Sequence, residues 1–209
     1  FLSEAIAAGA AGALLGRALE TSLPYVETSD TRRALGVFAA FWRKQFRMPL
    51  IAVTGSNGKT TVKEMLAAIL ARRGKGCVTR GNLNNDIGVP LTLLRLRADD
   101  AYAVIEMGMN HRGEIEYLTR LARPTVALIT NAAEAHLAGL GSVAAIAHAK
   151  GEIFAGLADD GTAVINADDA YSELWKSLAA PRRVVTFGLD HKADVSADVA
   201  LDGDGCALR

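Results

Sequence analysis

Cysteine is scarce, with only Cys77 and Cys206 in 209 residues. Two thiols without metal-ligand spacing build neither a disulfide framework nor a zinc site, and a reducing cytosol is their natural compartment. Net charge is missing too. The 23 Lys and Arg residues balance the 23 Asp and Glu residues, which leaves no global basic field for nucleic acid or a membrane surface. No apolar run reaches the ~18 residues that span a bilayer. The alanine-rich opening, Phe1 to Leu15, contains Glu4 and lacks a basic start, against a signal peptide. Internal repeats and low-complexity segments are absent apart from alanine enrichment. The clusters Arg43-Lys44 with Arg47, and Arg72-Arg73 with Lys75, read as solvated helix ends. The chain opens without methionine inside a helix-like pattern and stops within a hairpin pattern, Leu201 to Arg209. It is therefore read as an excerpt of a longer polypeptide, with material for one large domain or one and a half.

What is present alternates. A helix is expected over residues 2–9, a short buried strand over Ala10 to Leu15 and another strand over Pro24 to Val26. Thr28 or Asp30 then caps a helix running to about Phe46, with Ala34, Val37, Phe38, Phe41 and Trp42 on its apolar side. Met48-Pro49 ends it and feeds a strand, Leu50–Val53. A helix from Lys59 to Arg73 follows, stopped by Gly74 and Gly76. Further strands are expected at Cys77–Thr79, Ala101–Ile105, Val126–Ile129, Ala163–Ile165 and Val184–Phe187, with helices near 88–95, 113–122, 143–158 and 170–179. Strands alternating with helices predict an α/β fold with a mostly parallel sheet flanked by helices. In such sheets, ligands gather at the carboxyl ends of the strands.

One stretch carries most of the chemistry: Val53-Thr54-Gly55-Ser56-Asn57-Gly58-Lys59-Thr60-Thr61. Strand, glycine loop and helix in that order aim backbone N–H groups and a helix amino terminus at one point, which attracts phosphate. Lys59 is placed to reach a terminal phosphate and Thr60 to hold Mg²⁺. The spacing departs from the common nucleotide-binding pattern, because Val53 stands where its first glycine belongs. A nucleoside triphosphate is expected here, but not the site of an ordinary GTPase.

Other candidates lie at neighbouring strand ends. Glu106 follows the apolar strand Ala101–Ile105, where an acid commonly completes a magnesium site; alternatively it is only a strand-end glutamate. By spacing alone, His136 is a metal ligand, a phosphate contact or a surface histidine, with the last favoured. Glu134 is no better defined, and Lys150 in an alanine-rich helix reads as solvated. Asn166-Ala167-Asp168-Asp169 either closes a nucleotide pocket or caps the helix holding Tyr171 and Trp175, and capping fits better. Thr79 to Pro90 is rich in asparagine and glycine, suited equally to recognising a polar substrate and to turn geometry.

Taken together, four stretches resemble the Mur ligases, ATP-dependent amino-acid-adding enzymes of peptidoglycan synthesis. They are Thr54 to Thr61, Gly81 to Leu94, Glu106-Met107-Gly108-Met109-Asn110 with Gly113-Glu114-Ile115, and His136-Leu137 with Gly139, Gly141-Ser142 and Ala149 to Ile153. The resemblance covers about residues 48–170. The asparagine-rich loop and the Glu-Met-Gly segment point to the branch that joins D-alanyl-D-alanine to UDP-N-acetylmuramoyl-tripeptide. The resemblance implies a P-loop central ATPase domain over 48–209, incomplete at its end. Residues 1–47 would be the last part of an amino-terminal UDP-binding domain and linker helix. It implies ATP bound by Thr54, Gly55, Ser56, Asn57, Gly58, Lys59, Thr60 and Thr61, and substrate near Thr79, Asn82, Asn84 and Asn85. Two Mg²⁺ ions would be held by Thr60 and Glu106 and by His136 with Lys150, the latter carbamylated, and catalysis would rest on Lys59, Lys150 and His136. A cytoplasmic monomer that neither binds nucleic acid nor inserts into a membrane is expected. Met109 and Ala138 depart from the family pattern, so no acid role can be placed after His136-Leu137.

Overall fold

The computed structural model describes residues 1–134, 140–202 and 205–208, with side chains described as far as residue 198. An amino-terminal stretch holds α1 (Leu2–Ala7) and a parallel pair, β1 (Ala13–Leu15) with β2 (Tyr25–Glu27). Helix α2 (Thr31–Arg43) follows. The main sheet is built from β3 (Leu50–Thr54), β4 (Gly76–Val78), β5 (Tyr102–Glu106), β6 (Val126–Ile129), β7 (Thr162–Asn166) and β8 (Arg183–Phe187). Between them run α3 (Lys59–Leu70), α4 (Gly88–Leu93), α5 (Glu114–Ala122), α6 (Val143–Gly151) and α7 (Ser172–Ala179). An antiparallel hairpin, β9 (Val199–Asp202) with β10 (Gly205–Leu208), comes last.

Among the described residues the main sheet is wholly parallel, in the order β4-β5-β3-β6-β7-β8. Apolar strands covered on both faces form it, as parallel sheets require. Side chains alternate between the faces. Leu50, Ala52, Ala103, Ile105, Ala127 and Ile129 enter the larger core with Phe154 and Trp175. Val53, Tyr102 and Val104 meet Val62, Leu66 and Leu70 of α3 on the other face. By the same alternation Glu106 belongs to the face that α3 covers. From β3 the chain moves outward to β4, returns to β5 beside β3, and then crosses to β6 on the far side. That reversal is a topological switch point, where open α/β sheets bind ligands. Register brings Val53 level with Glu106 and with Leu128, so three strand ends arrive there together.

Four expectations need correction. The strand expected over Ala10 to Leu15 is only three residues long and half-exposed, and β2, its one partner among the described residues, is itself exposed. Helix α2 is capped by Asp30, whose Oδ1 accepts from Arg33 N at 2.9 Å, and Trp42 of its expected apolar side packs against the core, but the rest of that side largely does not. Val37, Phe38 and Phe41 are exposed, while Gly36, Ala39 and Arg43 are buried. Gly36 faces Tyr117 of α5 so closely that a β-carbon would displace the phenol. Arg43 is therefore no solvated helix end: it donates to the carbonyls of Ala122 (2.9 Å), Phe46 (2.6 Å) and Arg123 (3.5 Å). Finally, the helix expected over 143–158 is α-helical only to Gly151 and tightens into a 3₁₀ turn over Glu152–Gly156.

Candidate functional site

The glycine loop leaves β3 at the switch point. Gly55 has φ 151° and lies so close to Thr130 that a β-carbon would occupy the space of its hydroxyl. Gly58, with φ 77°, turns the chain into α3, a geometry glycine adopts without strain. The loop is fastened to the end of β6. Ser56 N donates to Asn131 O (2.9 Å), Asn57 N to Asn131 Oδ1 (3.0 Å), and Thr130 Oγ1 to Asn57 O (2.7 Å). A further layer braces that segment: Asp169 Oδ2 accepts from Ala132 N (2.8 Å) and Asn166 Nδ2 donates to Thr130 O (3.0 Å). The other oxygen of Asp169 accepts from Tyr171 N (2.9 Å) in the turn before α7, whose N-cap is Tyr171 and which has no side-chain cap, so the expected capping role is not met. Asp168 instead accepts from the backbone of Leu189, Asp190 and His191, which holds its carboxyl below the usual range.

Within this frame, Lys59 Nζ folds back onto its own loop, donating to Gly55 O (2.8 Å) and Ser56 O (3.2 Å). Burial lowers its pKa, and nearby Glu106 opposes that shift. Thr60 Oγ1 donates to Glu106 Oε2 and Asn84 Nδ2 to Glu106 Oε1, each at 2.9 Å. Glu106 N in turn donates to Thr79 Oγ1 at 2.9 Å. Lys150, only 1% exposed, has a pKa lowered to about 7, first by burial and then by repulsion from Lys59. A cavity of about 880 Å³ opens beside these groups, walled by Lys59 and Lys150 together with Asn84, Asn85, Gly108 and the start of α2.

The structure therefore gathers Lys59, Asn84 and Lys150 around one space, with Glu106 and Thr60 bonded in turn behind Asn84. Thr54 is buried and donates to Met107 O at 2.9 Å, a structural bond, while Thr61 faces solvent. Thr79 is buried against Glu106 rather than on the cavity wall, and exposed Asn82 does not line it either. Asn85 does line it, but also serves as the turn-former that was the alternative: its Oδ1 accepts from Gly88 N at 2.8 Å. Glu134 is exposed. His136 lies outside the described residues.

Sequence reasoning missed Lys63, fully buried one turn beyond Lys59. Its signal was a lysine in phase with the apolar stripe Val62, Leu66 and Leu70. It also missed Asn131 and Asp169 as braces, which spacing cannot reveal because their partners are distant in sequence. Thr60 and Glu106 present hard oxygen donors beside the glycine loop. That set suits Mg²⁺, which takes one or two carboxylates and fills its remaining positions with phosphate and water. Among the described residues, no cluster of three His, Cys, Asp or Glu side chains stands ready to hold a metal alone. An uncharged or cationic Lys150 does not suit a second cation, whereas a carbamate on the same nitrogen would supply oxygens.

Fold and site define a nucleotide-binding α/β domain with a carboxylate at the phosphate loop. A family profile described as the Mur ligase middle domain matches residues 53–208, and the chain belongs to the Mur ligase family. Over 187 residues it is 51% identical to UDP-N-acetylmuramoyl-tripeptide--D-alanyl-D-alanine ligase of Escherichia coli (strain K12), covering 90% of this chain and 41% of that protein. A crystal structure of MurF from Acinetobacter baumannii superposes with TM-score 0.91 at 38% identity, covering 100% of this chain and 46% of that one. MurF ligase from Thermotoga maritima in complex with ADP gives TM-score 0.83 at 27% identity, covering 100% and 48%. The chain thus spans under half the length of these relatives. Among the described residues, no helix is long and apolar enough to cross a membrane.

Proposed function

We propose that this chain supplies the ATP-binding part of a cytoplasmic, monomeric ligase of peptidoglycan precursor synthesis, one that joins D-alanyl-D-alanine to UDP-N-acetylmuramoyl-tripeptide. The reading rests on one observation above all: Lys59 and buried Lys150 line one cavity with Asn84, and Asn84 bonds the same Glu106 carboxylate that accepts from Thr60. Residues 1–47 then belong to a UDP-binding domain and 48–209 to the central ATPase domain.

In this scheme the loop N–H groups and the start of α3 hold the ATP phosphates. Lys59 exchanges its bonds to Gly55 and Ser56 carbonyls for the terminal phosphate. The peptide's terminal carboxylate takes up the γ-phosphoryl group in line, releasing ADP and forming an acyl phosphate. The amine of D-alanyl-D-alanine attacks that acyl carbon, and the tetrahedral intermediate collapses to amide and phosphate. Thr60 and Glu106 would hold Mg²⁺, which when bound neutralises charge on the transferring group. Lys150, its pKa lowered to about 7, is in part a neutral amine near neutral pH and can attack CO₂; the new N–C bond costs one proton and leaves a carbamate anion. That anion would join His136 in holding a second Mg²⁺. Asn84 and Asn85 face the muramoyl peptide, while Thr79 and Asn82 act from outside the cavity wall.

In the complete enzyme, ATP consumption should require both UDP-N-acetylmuramoyl-tripeptide and D-alanyl-D-alanine. Lys59→Ala should abolish the hydroxylamine-trapped acyl phosphate. Normal turnover in that variant, or consumption driven by a folate or a cyanophycin primer instead, would overturn the proposal.

A further inference from the structure

Two lysines are fully buried among the described residues, and the scheme above uses only Lys150. Lys63 is the other, at 0% exposure in the interface between α3 and the sheet. An aliphatic side chain would serve that packing, since Val62, Leu66 and Leu70 already do so. Burying an ammonium costs several kcal/mol unless its surroundings compensate. Lys63 Nζ donates to Thr79 O at 3.1 Å and meets Glu64 Oε1 at 2.9 Å and Glu106 Oε2 at 3.9 Å. The Glu64 side chain is 65% exposed, so water screens its charge, whereas that of Glu106 is 3% exposed. The charge that explains a lysine here is Glu106.

Glu106 poses a problem for a phosphate site. Its carboxylate sits at the loop that must accept a polyanion, and in the absence of a divalent cation it repels that polyanion. Thr60 and Asn84 bond to its oxygens but carry no charge. Lys59 must serve the phosphates themselves. We infer that Lys63 is a resident counter-cation of the nucleotide site. It balances Glu106 from inside the protein, so that the glycine loop can hold a nucleoside diphosphate or triphosphate before a metal arrives. The inference rests on the nucleotide reading of the loop.

The test is calorimetric titration of ADP into the chain, once with EDTA and once with Mg²⁺. In Lys63→Met, one uncompensated negative charge should weaken metal-free binding by about tenfold or more. Binding with Mg²⁺ should suffer less, so the ratio of the two affinities rises. The double variant Lys63→Met/Glu106→Gln removes the pair together but still leaves Thr79 O without its donor. It should recover metal-free affinity to within about threefold of the parent. Parallel weakening with and without Mg²⁺, or a double variant no better than Lys63→Met, would show a packing role only and overturn the inference. If Lys63→Met alone fails to fold by circular dichroism, the double variant decides by the same criterion. Failure of the unsubstituted chain to bind ADP with Mg²⁺ would instead bring down the nucleotide reading itself.

Discussion

A lysine shut away from water beside another cation gives up its proton more readily, and Lys150, near Lys59, is such a lysine. Its folded pKa of about 7 lies below the ordinary lysine value of 10.5, so between those values the unfolded chain binds more protons. Stability should therefore rise with pH across that window, and the burial penalty is fully present below about pH 7. In CO₂-free buffer, Lys150→Met should be more stable than the parent at pH 7, and the gap should close toward pH 10 in urea titrations. Equal slopes for the two proteins would contradict the burial. Lys59 and Thr60 were legible because a strand, a glycine loop and a helix are contiguous in sequence. Lys150 was legible only through the family resemblance, since an alanine-rich helix has no polar face against which an inward lysine would stand out. Lys63 left a faint trace in the helical phase, but nothing in the sequence pairs it with Glu106, 43 positions away.

Among the elements, the strands were the most legible. Each sheet strand falls within a residue or two of its expectation, because continuous apolar runs between glycine and polar breaks have few alternatives. Helix α2 was misread for a definite reason. Of its large apolar residues, Trp42 packs, but Val37, Phe38 and Phe41 stay exposed while Gly36, Ala39 and Arg43 are buried, Gly36 and Arg43 against α5. Small residues let the helices approach, and the guanidinium of Arg43 supplies donors to carbonyls at the end of α5 that would otherwise be stranded. Burial lowers the Arg43 pKa, and Arg123 adds to the effect. Arg43→Met should cost about 2–4 kcal/mol of unfolding free energy in urea. ADP affinity should stay unchanged, because Arg43 lies far along α2 from its cavity-lining start. A near-zero cost would mean that water replaces those bonds.

At the scale of the whole molecule, parallel order places three strand ends at one switch point, and side-chain braces running from β7 through β6 hold the glycine loop there. A ligand at that point binds the native state alone, so Mg²⁺–ADP at a hundredfold excess over its Kd should add about 2.7 kcal/mol to stability. The accompanying rise in melting temperature should largely vanish in Lys59→Ala; an undiminished shift would place the nucleotide elsewhere.

By itself, the order of residues determined the α/β class, the phosphate loop and the family, since each of these is written in contiguous stretches. Only the tertiary structure decided which charges face one another. It brought Glu106 between Thr60 and Asn84, sealed Lys63 beneath it and closed Lys150 off from water beside Lys59. The physical reason is that a charge takes its energy from distance and burial, and neither runs along the chain.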